Sequence, residues 1–170
     1  FFTLNYAIYF FITWFPTYLV EERGMKMMNM GFVAMIPPLV GMIGEWIGGW
    51  LTDHLYHRRK LSLTVARKIN LVGGMLLATS IAFAGMVSSA VMSVALLSIS
   101  YAGLAIAASA IWSLPGDIAP KNMTSTVGGV QNCASNIGGI LGPILTGFIV
   151  ASTGSFIMAL LISGVATLLG

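Results

Sequence analysis

Gln131, Asn132, Ser135 and Asn136 interrupt a long apolar run. Asn132, Ser135 and Asn136 are spaced i, i+3, i+4, which on a helix places them on one face. Amides and hydroxyls in that pattern make no acid–base pair and no nucleophile. They offer hydrogen bonds, either to a polyhydroxylated ligand or to a neighbouring helix. A primary amide left alone in hydrocarbon costs roughly 4–8 kcal/mol on a cyclohexane scale, so this face must meet other helices, water or a ligand. A second stripe, Ser98, Tyr101, Ala105, Ser109 and Trp112, recurs at steps of three and four in the preceding run. A third, Asn5, Tyr6, Tyr9 and Thr13, lies in the first run. Two readings stand for the stripes. They line a common cavity, or they join helices through contacts of about 0.6–2 kcal/mol each.

The charged candidates are fewer. Glu45 lies inside an apolar run among Gly41, Gly44, Gly48 and Gly49. A carboxylate there must be paired, hydrated or protonated. It therefore either carries a coupling proton or pairs with a base near the end of its run. Asp53 follows, with Arg58 and Arg59 beyond it; Asp53 is expected to cap the helix or to pair with one of these arginines. His54 and His57 lack clustered acids and read as solvated loop residues, so no metal site is expected. The sequence holds no HExxH, GxSxG or P-loop pattern. The single cysteine, Cys133, has neither a disulfide partner nor a neighbouring histidine. No catalytic residue and no cofactor are expected, and the chain does not read as an enzyme.

These side chains need elements to position them, and the composition says which. Eight Lys and Arg and five Asp and Glu residues make only 8% of the 170 residues, while 57% are hydrophobic. So few charges cannot coat a soluble domain, and so much apolar content excludes disorder. The basic residues sit in short blocks between apolar runs, which is not a nucleic-acid footprint. Six runs can be read as helical spans, at about 1–20, 30–52, 69–87, 91–115, 124–151 and 155–170. Roughly 20 helical residues cross a ~30 Å hydrocarbon core. Lys and Arg set the orientation. Arg58, Arg59, Lys60, Arg67 and Lys68 lie in the loop at 53–68, and Lys121 in the loop at 116–123. Those loops and both chain ends are expected to face the cytoplasm. The chain starts at Phe1 and is expected to be a fragment, one half of a larger bundle, because a midplane site usually needs two.

Several of these residues also carry a resemblance. Thr13-Trp14-Phe15-Pro16-Thr17-Tyr18-Leu19, Glu22-Arg23-Gly24-Met25 and Gly31-Phe32 resemble the exit of helix seven in the major facilitator superfamily. More narrowly, they resemble the anion:cation symporter family of bacterial sugar-acid transporters. Gly48-Gly49-Trp50-Leu51-Thr52-Asp53 with Arg58-Arg59 is similar to the second-half copy of the superfamily's cytoplasmic loop motif. Ser62 to Lys68 continues it. Trp112-Ser113, Asp117 and Pro120 resemble the end of helix ten. Gly128 to Asn132, Asn136 to Ile140 and Pro143 resemble helix eleven.

The resemblance implies an all-α integral membrane fold. Its six transmembrane helices form the C-terminal half, residues 1–170, of a major-facilitator bundle built from two inverted three-helix repeats; the N-terminal half is absent. It implies proton-coupled uptake of a hexonate, hexarate or hexuronate by alternating access, with the proton as coupling ion and no other cofactor. Asn132, Ser109, Trp112, Tyr6 and Tyr9 match substrate-binding positions, beside Gln131, Ser135 and Asn136 of the stripe. Ile111 stands where a hydroxylated residue is frequent, and Glu45 where small residues are common. Asp53, Arg58 and Arg59 match the cytoplasmic gating motif. The implied partners are a small anionic substrate, the lipid bilayer of a bacterial inner membrane, and the N-terminal half. That half would supply the substrate-pairing Arg and the proton-carrying acids. A working monomer is expected. Another organic anion or phosphate is the near alternative; a passive channel or structural subunit is the distant one.

Overall fold

The apolar runs fold as helices, and no strand occurs among the described residues. The structure is a computed structural model and describes residues 1–169. In chain order the elements are α1 (Phe2–Thr13), α2 (Phe15–Glu21), α3 (Met27–Ala34), α4 (Ile36–Asp53), a π-helical turn (His54–Arg58), α5 (Leu63–Ala78), α6 (Ile81–Ala84), α7 (Ala90–Ile118), α8 (Thr124–Thr153) and α9 (Ile157–Leu169). Continuous helical segments at Met27–Arg58, Leu63–Ala84, Ala90–Ile118 and Thr124–Thr153 are long and apolar enough to cross a bilayer. The segments at the two ends of the chain, Phe2–Thr13 and Ile157–Leu169, are shorter.

Proline explains the interruptions. The first span breaks at Trp14, two residues before Pro16, which has no N–H to continue the ladder. Pro37 and Pro38 follow the break at Met35 in the same way. The sequence places a loop at 53–68, and here the structure differs. The second span does not stop at Thr52; it runs through Asp53 into the π-helical turn. The third starts early because the Ser62 hydroxyl accepts from the Val65 amide at 3.3 Å and caps α5. Only a short connection around Lys60, at φ 55°, remains between them.

The packed core joins α1, α2, α5, α6, α7 and α9 through Leu4, Phe10, Phe11, Phe15, Tyr18, Leu97, Leu104, Phe156 and Leu160, among others. By contrast α4 and α8 bury mostly small residues: Pro37, Gly41, Gly44, Gly48 and Thr52 on one, and Ser135, Gly138, Gly139, Gly142 and Thr146 on the other. A Cβ at Gly44 would lie 2.6 Å from the Ala102 carbonyl oxygen, so only glycine permits this approach of α4 to α7. The large side chains of both helices point outward, Trp46, Trp50 and Met42 on α4, Ile140, Ile144 and Phe148 on α8. Such faces are stable against lipid or another apolar surface, and not against water. The chain is a multi-pass membrane protein.

At the end of the bundle where α2 stops, two adjacent charges tie three turns together. The Arg23 guanidinium donates to the Tyr18 hydroxyl at 2.7 Å, the Val87 carbonyl at 2.8 Å and the Ala84 carbonyl at 2.5 Å. Glu22 accepts from the Ser155 hydroxyl at 3.1 Å and the Phe156 amide at 3.4 Å, just ahead of α9. An anion there also meets the favourable end of the helix dipole.

Candidate functional site

The helix-eight stripe does lie on one face, and α1 supplies its partners. Gly138 meets the Phe2 carbonyl and Gly142 the Tyr6 backbone, so α8 closes on α1 without side chains between them. That proximity lets Asn5 Nδ2 donate to Ser135 Oγ at 3.0 Å and the Tyr9 hydroxyl donate to Asn136 Oδ1 at 3.0 Å. Asn136 Nδ2 in turn donates to Asn132 Oδ1 at 3.0 Å and to the Asn132 carbonyl at 2.8 Å. The result is a directed chain from Tyr9 through Asn136 to Asn132. It ends on Asn132 Nδ2, which is exposed and has no partner among the described residues. Chemically this is a pre-oriented donor, aimed at a hydroxyl or carboxylate oxygen.

The remaining candidates separate. Gln131 Nε2 donates to the Ile111 carbonyl at 3.0 Å, so its amide is spent joining α8 to α7. Trp112 is 53% exposed and meets the Phe1 ring edge-on at 5.1 Å, beside that joint. Tyr6 and Ser109 do not reach the cluster. Tyr6 is 4% exposed and turns into the bundle, where the hydroxyls of Thr146 and Ser163 lie near it. The shared face expected for Tyr6 and Tyr9 therefore splits: Tyr9 sits at the rim and Tyr6 inside. Ser109 donates to the Ile106 carbonyl at 2.7 Å and packs against Gly48 of α4, on the other side of α7.

The charged candidates also fall differently from the sequence expectation. Asp53 does not cap a helix end, because the helix continues through it. It forms no ion pair with Arg58 or Arg59; all three are exposed. The ion pair among the described residues joins Arg67 to Asp117 at 2.9 Å, α5 to α7. Glu45 has no ion pair either. It precedes Arg58 by 13 residues of helix, about 20 Å along the axis, beyond the reach of either side chain. No group of three or more metal-ligating side chains forms among the described residues.

Two features escaped the sequence reading. Asn70, 1% exposed, donates from Nδ2 to the Gly48 carbonyl at 2.5 Å and to Thr52 Oγ1 at 2.6 Å, tying α5 to α4. An amide one turn inside an apolar run was its signal. The Glu22–Arg23 clasp carried a weaker one, since both residues look like ordinary loop charges.

Comparison with known proteins gives the arrangement its context. The family model described as Major Facilitator Superfamily matches residues 1–143. The chain is 43% identical, over 98% of its length, to the "Probable galactarate/D-glucarate transporter GudP" of Escherichia coli (strain K12), covering 36% of that protein. It is 38% identical, over 96% of its length, to the "Hexuronate transporter" of Bacillus subtilis (strain 168), covering 39% of it. It is 32% identical, again over 96%, to the "Probable sulfoacetate transporter SauU" of Cupriavidus necator, covering 38% of it. The chain thus spans well under half the length of these relatives.

Proposed function

This chain belongs to the Major Facilitator Superfamily, and on that premise we propose that it forms the C-terminal half of a proton-coupled symporter that takes up a sugar-acid anion. The observation that carries the reading is the directed hydrogen-bond chain ending on Asn132 Nδ2, in a sequence similar over nearly its whole length to transporters named for galactarate, glucarate and hexuronate. A polyhydroxylated substrate presents several acceptors to such a donor. Tyr9, Asn136 and Asn132 form the hydroxyl-recognising wall, with Trp112 at its edge.

An anion in a low-dielectric site also needs a cation. The apolar spans described here carry no Lys or Arg in their middle, so the Arg would come from the other half, across a midplane cavity. The two halves then rock about that site in alternating access, as a monomer in a bacterial inner membrane. The basic residues from Arg58 to Lys68 and Lys121 support a cytoplasmic face at that end. The 32% identity to a protein named for sulfoacetate favours a second reading, uptake of a smaller organic anion.

The test is uptake by the full-length protein in proteoliposomes under an imposed proton gradient. The panel is galactarate, glucarate, a hexuronate, a hexonate and sulfoacetate. Uphill accumulation of a sugar acid is the expected result. Accumulation of sulfoacetate alone favours the second reading, and downhill flux alone makes the protein a passive channel. Asn132→Ala should weaken sugar-acid binding about tenfold, the value of one lost donor; unchanged affinity by calorimetry removes Asn132 from the site.

A further inference from the structure

Glu45 is a carboxyl group in the middle of the helical segment Met27–Arg58. It lines a cavity of about 300 Å³ with Pro38, Leu39, Met42, Tyr101 and Ala105, between α4 and α7. Except for Tyr101 those walls are apolar. Neither the Glu45 carboxyl nor the Tyr101 hydroxyl has a hydrogen-bond partner among the described residues. The cavity is separate from the Asn132 chain, which lies between α1 and α8.

The groups around Glu45 leave few ways to hold a negative charge. Helix α3 carries no titratable side chain. On α7, Tyr101 shares the cavity, and Asp117 is far down the helix, paired with Arg67 of α5. Lys68 of α5 lies beside Arg67 at that same end. His54, His57 and Arg58 of the π-helical turn begin nine residues beyond Glu45, about 14 Å along the axis. A dry cavity of this kind favours the neutral acid, and a hydrated one the carboxylate.

We propose that Glu45 is a coupling proton-binding site in this half of the transporter: its carboxylate takes a proton from water when the cavity closes, and returns it when the cavity opens. Only the carboxyl O–H bond forms and breaks. The proposal rests on the symporter reading above and adds a proton site to it.

An infrared titration of the full-length protein in lipid reads the protonated carboxyl directly and needs no transport. The expected result is a carboxylic-acid band that fades as pH rises, is absent from Glu45→Gln and persists, shifted, in Glu45→Asp. In proteoliposomes, Glu45→Gln should lower proton-driven accumulation about tenfold or more, while substrate exchange, which moves no net proton, falls only about twofold. Glu45→Asp should retain accumulation, separating coupling from misfolding. A wild-type spectrum with no band assignable to Glu45, as a cation from the other half would produce by keeping the carboxylate ionised, overturns the proposal. So does a Glu45→Gln protein that accumulates substrate like wild type. If the wild type accumulates no sugar acid, the symporter reading falls, and the infrared titration still decides whether Glu45 binds a proton.

Discussion

Where α2 ends, each guanidinium nitrogen of Arg23 donates to the protein and Glu22 fastens the start of α9. At the opposite end, Asp53, Arg58, Arg59 and Lys60 are exposed, and none forms an ion pair with any described residue. The first set of charges is held by backbone carbonyls, a buried tyrosine and the Tyr18 ring, 5.2 Å from the guanidinium carbon. The second set is free to choose partners. Charge-assisted hydrogen bonds inside a half-buried pocket fix one geometry, whereas exposed ion pairs contribute little and exchange readily. The contrast locates rigidity at the clasped end and cheap rearrangement at the basic end. A rocking bundle needs that division, because a few loose contacts must break at a gate while the body moves as a unit.

The clasp offers the largest test. Arg23→Ala removes three donors and leaves the Ala84 and Val87 carbonyls short of partners, so about 3 kcal/mol of stability should be lost. Arg23→Lys should recover only part of it, since an ammonium lacks the planar fork. Thermal unfolding in detergent measures both, and an unchanged midpoint for Arg23→Ala would erase the contrast between the ends. Next in size is Asn70→Ala, which strips the buried tie from α5 to Gly48 and Thr52 and should cost about 1–2 kcal/mol. This is the firmest contact at the basic end. A loss as large as that of Arg23→Ala would mean that the basic end is anchored after all. Smaller still is Arg67→Ala, which breaks an exposed pair worth about 0.2–1 kcal/mol. Asp117→Asn should match it, and a double substitution should add almost nothing to either single one.

The same contrast shows what could be read from the sequence. Apolar run length gave the helices, because no other fold satisfies so many backbone groups without water. It did not give the end of the second span. Whether Asp53 stops a helix or rides inside it depends on how α5 packs alongside, which local spacing does not encode. The i, i+3, i+4 pattern of Asn132, Ser135 and Asn136 predicted a shared face correctly. It could not say that Tyr9 would reach Asn136 while Tyr6 turned inward. On α1 both tyrosines fit one stripe, and only the approach of Gly139 and Gly142 of α8 separates them. Gln131 reads like a ligand residue by type, yet it is consumed by the Ile111 carbonyl. The role of Arg23 was hidden because its acceptors come from residues more than sixty positions away.

The smallest expected change in stability is at Asp53, and it is the most informative about motion. In this structure its carboxylate is exposed and pairs with neither Arg58 nor Arg59. Asp53→Asn should therefore shift the unfolding midpoint by no more than an ordinary surface substitution does, within about 0.5 kcal/mol. If Asp53 pairs with an arginine only when the gate at the basic end is closed, the same substitution biases the two states without weakening the fold. Transport should then fall more than substrate affinity, because the site between α1 and α8 is untouched while the return step is altered. The ratio of uptake rate to binding constant, measured on one preparation of the full-length protein, decides it. Equal losses in both, at normal membrane expression, would mean that Asp53 acts on the site itself, and the basic end would lose its claim to be the moving one.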